Sequence, residues 1–268
     1  MLVDAHGPAT ADEAWRRFTT PATWATWAPL IQDVDTADDV IRVGSTGRVH
    51  GPRGVAVDFT VTHVDPVLRS WSWTVGRGPA EVRMDHHVLP APGGGSRAFL
   101  RVPGRAAAVL QPYRIPAAGA LRRLVAEAGA ERGAAGGTEA VRAFDFAFAP
   151  PYALAGRAFG VTPRTTTVEV GPEWLFVRYG PWRLVTPRSN IAATEVTGGF
   201  SWLKTAGPPH LSFSDRGVSF TTNGDRALCV SFHEPVPGID PTATITHPGA
   251  TVSVADPEAL AEALEQHA

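Results

Sequence analysis

Residues 55–88 read VAVDFTVTHVDPVLRSWSWTVGRGPAEVRMDHHV, and their pattern decides the fold. Three runs alternate with period two: Val55, Val57, Phe59, Val61 and His63; Trp71, Trp73 and Val75; Val82, Met84, His86 and Val88. Alternation of this kind sends successive side chains to opposite faces of a strand, one buried and one wet. The intervening positions are mostly small or polar (Asp58, Thr60, Thr62, Ser72, Thr74, Arg83, Asp85), as expected of an antiparallel sheet covered on one side. Asp65-Pro66 and Gly76-Arg77-Gly78-Pro79 supply the turns. The inward face carries two tryptophans, a methionine and up to two histidines, bulkier and softer than core packing requires. It reads as one wall of a ligand cavity, with an expected volume above about 300 Å³.

The flanking segments complete this sheet. Residues 2–6 form a short first strand ended by Gly7-Pro8. Thr10 caps a helix with Glu13 at capping-box spacing, and Ala14, Trp15 and Phe18 share one face of it. Pro21 opens a second short helix in which Trp24 and Trp27 stand three apart. Residues 40–50 read as a strand pair leading into the central runs. Gly93-Gly94-Gly95-Ser96 then turns the chain into a last strand carrying Ala98, Leu100 and Val102. After Gly104 the pattern becomes helical, with Ala107, Leu110, Leu121, Leu124 and Val125 on apolar faces. Pro112 and Pro116 interrupt it, which predicts a broken helix whose long part begins near Ala117. Residues 126–140 lose periodicity and gather glycine and alanine, the composition of a linker.

With 268 residues the chain is long enough for one large domain or two ordinary ones. Its hydrophobic content of 44% supplies a normal core, and a net charge of -2 gives no basic field for nucleic acid. Lys204 is the only lysine, so the arginines reflect coding bias of a bacterial kind before any function. Cys229 stands alone in a strand-like ALCVSF, which excludes an intrachain disulfide and reads as a small buried thiol. The first twenty residues hold Asp4, Asp12, Glu13, Arg16 and Arg17 with no apolar leader segment, and no apolar run reaches membrane-spanning length. A cytoplasmic protein without an integral membrane segment is expected.

Past the linker the pattern is almost all strand. Phe144, Phe146 and Phe148 alternate, a short helix ends at Gly160, and strands are expected at 165–170, 174–179, 183–186, 191–197, 211–213, 218–221, 228–232 and 250–254. Asp215-Arg216-Gly217 has the form of a turn, and Asp256-Pro257 opens a last helix bearing Leu260 and Leu264.

Several phrases of the first half occur together in one known family. TADEAWRRFTTPATWATWAPLI, DPVLRSWSWTV, MDHHVLPAPGGGSR and RRLVAEA, in this order and spacing, resemble the START-like superfamily, also called SRPBCC or the polyketide cyclase/dehydrase family, over residues 1 to about 128. The resemblance implies a curved antiparallel sheet gripping a long helix, with an apolar cavity between them; it implies no single chemistry. In the second half, RYGPWRLVTP, DRGVSFTTN and EPVPGIDP resemble a bacterial protein family, and seven or eight strands closed by one terminal helix resemble a pleckstrin-homology-like barrel. The expected fold class is therefore α+β: a helix-grip domain over residues 1–130, a linker over 131–141, and a mostly-β, barrel-like domain over 142–268 closed by a C-terminal helix.

No phosphate loop, zinc-spaced Cys/His cluster, nucleophile elbow or dinucleotide fingerprint is present, so neither a metal nor a cofactor is expected. Ten residues are candidates for the cavity wall: Trp27, Val57, Phe59, Trp71, Trp73, Met84, His86, Leu100, Leu110 and Tyr113. The tryptophans offer flat surfaces with indole N–H groups to orient polar atoms, and Tyr113 offers a hydroxyl at the cavity mouth. His86 is the one candidate general acid or base. The plainer reading, a histidine that orients a ligand or satisfies the core, carries more weight. His87, Asp58 and Asp85 alternate away from this face and read as surface residues. In the second half Arg178, Arg183, Arg188 and Lys204 accompany Trp174, Trp182 and Trp202, a set that suits a lipid headgroup or peptide but is equally explained by strand alternation. Three functions are weighed: binding of a hydrophobic or aromatic small molecule, with the second domain stabilising the first or docking a partner; a cyclase- or dehydratase-like enzyme using His86; and recruitment of a lipid or protein through the second domain.

Overall fold

The computed structural model describes residues 1–126, 141–199, 209–211, 217–239 and 245–265. The expected linker up to residue 140, Trp202, Lys204 and most of the 215–217 turn lie outside them. The chain divides into two compact units, the first over residues 1–138 and the second over 139–240 and 244–268.

The first unit is one seven-stranded antiparallel sheet with helices on its inner side. Its strands are β1 (Leu2–Gly7), β2 (Asp33–Thr36), β3 (Thr46–His50), β4 (Ala56–Asp65), β5 (Ser70–Val75), β6 (Val82–Pro90) and β7 (Ser96–Arg101). The spatial order is β1-β7-β6-β5-β4-β3-β2, a meander whose first strand closes onto its last. The turn between β6 and β7 needs its glycines, because Gly93, Gly94 and Gly95 all take positive φ (76°, 101° and 78°).

Helix α1 (Ala11–Thr19) starts where the capping residue predicts, with Thr10 Oγ1 accepting from the Glu13 N–H at 3.2 Å. It buries Ala11, Ala14 and Phe18, and leads through a 3₁₀ turn (Pro21–Thr23) into α2 (Trp24–Trp27), which buries both tryptophans. After β7 come α3 (Ala106–Val109), a 3₁₀ turn (Gln111–Tyr113) and α4 (Arg114–Ala126). The long helix thus starts three residues before the expected Ala117: Pro116 sits in its first turn, where an N–H would have no helical partner anyway. Helix α4 lies against β1 and β7. At Gly7 a Cβ would collide with the Val125 carbonyl, so this glycine permits the close approach. Arg17, buried beneath the helix end, donates to the Leu124 carbonyl at 2.5 Å and the Arg123 carbonyl at 3.3 Å, satisfying acceptors that a helix C-terminus leaves open.

Three expectations are corrected here. The strand before β3 is at Asp33–Thr36; within residues 40–45 Val40 and Val43 are exposed and only Ile41 and Ser45 are buried. The alternation of β4 breaks at a bulge between Val61 and His63, after which Val64, opposite Trp71, takes the inward position and His63 turns out toward Ser70. The other face of the sheet is not uniformly wet either, since Ser70, Ser72, Asp85, Arg97 and Phe99 on it are buried.

In the second unit, β8 (Arg142–Phe144), β9 (Thr166–Val170), β10 (Trp174–Tyr179) and β11 (Trp182–Pro187) form a sheet in the order β11-β10-β9-β8. Helix α5 (Pro150–Arg157) lies between β8 and β9 in sequence. A second sheet is ordered β12-β15-β16-β14-β13, from β12 (Ile191–Gly198), β13 (His210–Leu211), β14 (Val218–Phe220), β15 (Arg226–Pro237) and β16 (Thr246–Val252). Among the described residues these are two separate sheets and not a closed barrel. Phe146 joins a core with Val168, Leu175, Val177, Tyr179, Leu184, Phe220 and Leu228, and Phe144 and Phe148 pack at its margin. Helix α6 (Pro257–Glu265) adds Leu260 and Leu264 to that core.

Candidate functional site

Between α2, α4 and the inner face of β5–β7 lies an apolar cavity lined by aromatic rings, small residues of α4 and one histidine. Alternation on β5 and β6 delivers Trp71, Trp73, Met84 and His86; β7 delivers Leu100; the three-residue spacing in α2 delivers Trp24 and Trp27; and Tyr113 closes one side. Of the ten residues singled out from the sequence, seven line the cavity. Val57, Phe59 and Leu110 do not. Phe59 is buried behind the wall, its ring 5.7 Å from Trp24 and 5.4 Å from Trp73; Val57 is half-buried on β4, and Leu110 half-buried at the end of α3. Phe18, Trp24, Ala28, Ile31, Ala117, Ala120 and Leu121 line it without being among those ten. Helical spacing carried that signal: Trp24 precedes Trp27 by three residues, and Ala117 precedes Leu121 by four.

The cavity is far smaller than expected. Its volume is about 40 Å³, room for water but not for a drug-sized molecule. The space is filled by rings: Trp71 stacks on His86 (4.2 Å between centroids, 11° between planes) and on Trp24 (5.7 Å, 22°), while Trp73 meets Trp71 edge-on at 5.2 Å. Phe18 sits edge-on to Trp27 at 5.4 Å and to His86 at 5.3 Å.

The polar atoms of this wall are unevenly served. Trp24 Nε1 donates to the Phe18 carbonyl at 2.9 Å. Among the described residues, Trp27 Nε1, Trp71 Nε1, Trp73 Nε1 and His86 Nδ1 have no hydrogen-bond partner, although all four side chains are more than nine-tenths buried. Burial lowers the His86 pKa to about 3, against a smaller opposing pull from Asp85, so the imidazole is neutral at pH 7. Burial also raises the Tyr113 phenol, which is therefore a neutral donor and acceptor.

Behind this wall Asp85 is buried and not, as its alternation suggested, on the surface. Its Oδ1 accepts from Ser72 Oγ and from Arg83 Nε, both at 2.8 Å. Burial alone would raise the Asp85 carboxyl, but these bonds and the charges of Arg83 and Arg101 hold it below the ordinary carboxylate range. His87 is half-buried, and its pKa is lowered to about 4, chiefly by burial. Asp58 is an outward-facing residue paired with Arg48 and Arg77.

In the second unit two of the three arginines considered for a headgroup are engaged by backbone carbonyls, while Arg178 has a buried Nε without a partner among the described residues. Arg183 donates to the Gly180 and Trp182 carbonyls, and Arg188 to those of Ala263 and Leu264 at the end of α6. Trp174 is buried.

Residues 3–144 match the family described as "Polyketide cyclase / dehydrase and lipid transport". Among solved structures, Ara h 8.0201 is similar at 14% identity, with 46% of this chain and 93% of that one covered and a TM-score of 0.37. A protein of Nitrosospira multiformis is similar at 16% identity, covering 49% of this chain and 97% of that one, with a TM-score of 0.39. A Mesorhizobium loti protein follows at 18%, 46% and 92%, with a TM-score of 0.38. None of the curated proteins compared with the chain matches it.

Proposed function

Because the chain belongs through its first half to the polyketide cyclase/dehydrase and lipid transport family, we propose that its first unit binds a hydrophobic or aromatic small molecule between α4 and the sheet. One observation carries this reading: an aromatic-lined cavity in the grip of that helix, whose wall leaves four buried nitrogen atoms without partners. Since about 40 Å³ is open, binding must displace side chains. Ile31, Met84 and Tyr113 are half-buried at the wall, and Met84 has the unbranched flexibility to move. The second unit then stabilises the first or docks a partner, in a cytoplasmic protein.

Proton transfer by His86 is the weaker reading. An imidazole with a pKa near 3 is a poor base at neutral pH, and no carboxylate, lysine or arginine lines the cavity to assist it.

Native mass spectrometry of protein purified from its own host, with extraction of bound compounds, tests the proposal together with a tryptophan-fluorescence titration using Nile red. The expected result is a co-purifying apolar compound, or saturable quenching that Met84→Trp and Ala117→Trp abolish by filling the space. Absence of both a bound compound and saturable quenching would overturn it.

A further inference from the structure

A helix lying on a core buries an apolar stripe and presents polar side chains to water. Helix α6 does so: Leu260, Ala263 and Leu264 are buried, and Glu258, Glu262 and Glu265 are exposed. Helix α5 of the same unit does not. It buries Tyr152 and Gly156, yet its exposed positions are Pro150, Pro151, Leu154 and Arg157, with Ala158 and Phe159 following. Leu154 is 74% and Phe159 46% exposed. Single exposed apolar side chains are ordinary, but here they share a helix end with one polar residue on its outward side. A helix apolar on both sides is one that something covers on both sides. The element is also anchored. The Ala149 N–H donates to the Thr222 carbonyl at its start, and the N–H groups of Phe159 and Val161 both donate to the Gly156 carbonyl at its end, all at 2.9 Å. A Cβ on Gly156 would meet the Val161 carbonyl at 3.0 Å, so the inner side sits tight while Leu154 and Phe159 stand out.

Charge identifies the partner. Residues 146–168 contain Arg157 and Arg164, both exposed, and no lysine, aspartate or glutamate. The whole chain, at a net charge of -2, has no general attraction for anions, so this attraction is local. Two protruding side chains bury far less than the roughly 800 Å² per partner of a stable protein interface. They suit insertion at headgroup depth, beside arginines that meet lipid phosphates. We propose that α5 and the turn after it dock the second unit on an anionic lipid surface, with Leu154 and Phe159 entering the interface and Arg157 and Arg164 facing the headgroups. This names the partner in the docking reading of the second unit given above, on which it rests, and is independent of ligand binding by the first.

The test sediments the full-length protein with vesicles of phosphatidylcholine, alone or mixed with phosphatidylglycerol, at low and raised salt. Binding is expected to the mixed vesicles and to weaken as salt rises. Leu154→Ser and Phe159→Ser should each weaken it about tenfold, and Arg157→Gln and Arg164→Gln roughly fivefold each. Val196→Ser, which removes an exposed apolar side chain on β12, should change nothing. All these side chains are exposed, so thermal melts should stay unchanged and a loss of binding is not a loss of folding. Equal binding to both vesicles, or an equal loss in Val196→Ser, would overturn the inference, since neither charge nor α5 would then be recognised. Absence of vesicle binding would overturn it too. In that case benzoylphenylalanine in place of Leu154 separates the two readings: a photo-crosslink to a host protein leaves docking intact with a different partner, and no crosslink overturns docking through α5 as well.

Discussion

The two units solve the same closing problem alike and treat their interiors differently. Each ends in a helix whose last carbonyls are taken by an arginine from elsewhere: Arg17 for α4, Arg188 for α6. In the second unit the buried Tyr179 hydroxyl donates to the Thr221 carbonyl at 2.6 Å, inside a core of aliphatic and phenyl side chains. In the first, three indoles and an imidazole stay unpartnered around one small space. The second unit also holds buried nitrogen atoms without partners among the described residues, on Trp174, Arg178 and Arg188. The indoles and imidazole of the first unit belong to residues that line one cavity, and that grouping is what distinguishes them.

This comparison can be broken outright by separating the halves. We propose that residues 1–132 and 142–268 fold independently, and each fragment is expected to melt cooperatively in calorimetry. A molten fragment from either half would mean that the two interiors are not separate cores. Within the first unit the largest single loss is expected from Trp24→Ala, about 3–5 kcal/mol, because this 1%-exposed ring touches Phe59, Trp71 and Trp73 and bonds the Phe18 carbonyl. Chemical denaturation measures it; a loss near 1 kcal/mol or below (roughly that of an exposed site) would show a ring cluster looser than drawn.

Acid is the next lever. His86 has its pKa lowered from 6.5 to about 3 in the folded protein, so below pH 6.5 the unfolded chain takes up a proton that the folded one refuses. Stability is therefore expected to fall as pH drops from 6.5 toward 3, by roughly 1.4 kcal/mol per unit from this residue. Asp85, held below its ordinary 3.8, adds its own loss only under that value. Thermal melts between pH 7 and 4.5 should show the decline, with a shallower one in His86→Phe; identical slopes would mean that His86 is not buried neutral.

Arg17→Met and Arg188→Met should each cost about 1.5–3 kcal/mol, the range for hydrogen bonds from a charged donor. Arg17 should sit at the upper end, being the more deeply buried. Hydrogen exchange at the ends of α4 and α6 would locate the effect; unchanged exchange would refute the shared closing device. The smallest change, about 1 kcal/mol, is expected for Tyr179→Phe, which removes the hydrogen bond to the Thr221 carbonyl. If that variant cost nothing by the same denaturation assay, the contrast between the two interiors would lose its second half.

The sequence by itself determined what depends on local period and local chemistry. Alternation placed Trp71, Trp73, Met84, His86 and Leu100 on one face, because side chains of a strand alternate whatever the strand packs against. Thr10 and Glu13 marked the start of α1, and the triple glycine marked the β6–β7 turn, because caps and positive φ are requirements of a few consecutive residues. Only the tertiary structure decided what depends on distant partners. The bulge that turns His63 outward is a matter of register between β4 and β5. The burial of Asp85 follows from Ser72 and Arg83 meeting it across and along strands. The cavity volume follows from how closely rings of α1, α2, β5 and β6 interleave, and period-two or period-3.6 patterns carry no information about that distance. The sequence could place the tryptophans on a wall, but only packing could show that the rings leave the space between them nearly closed.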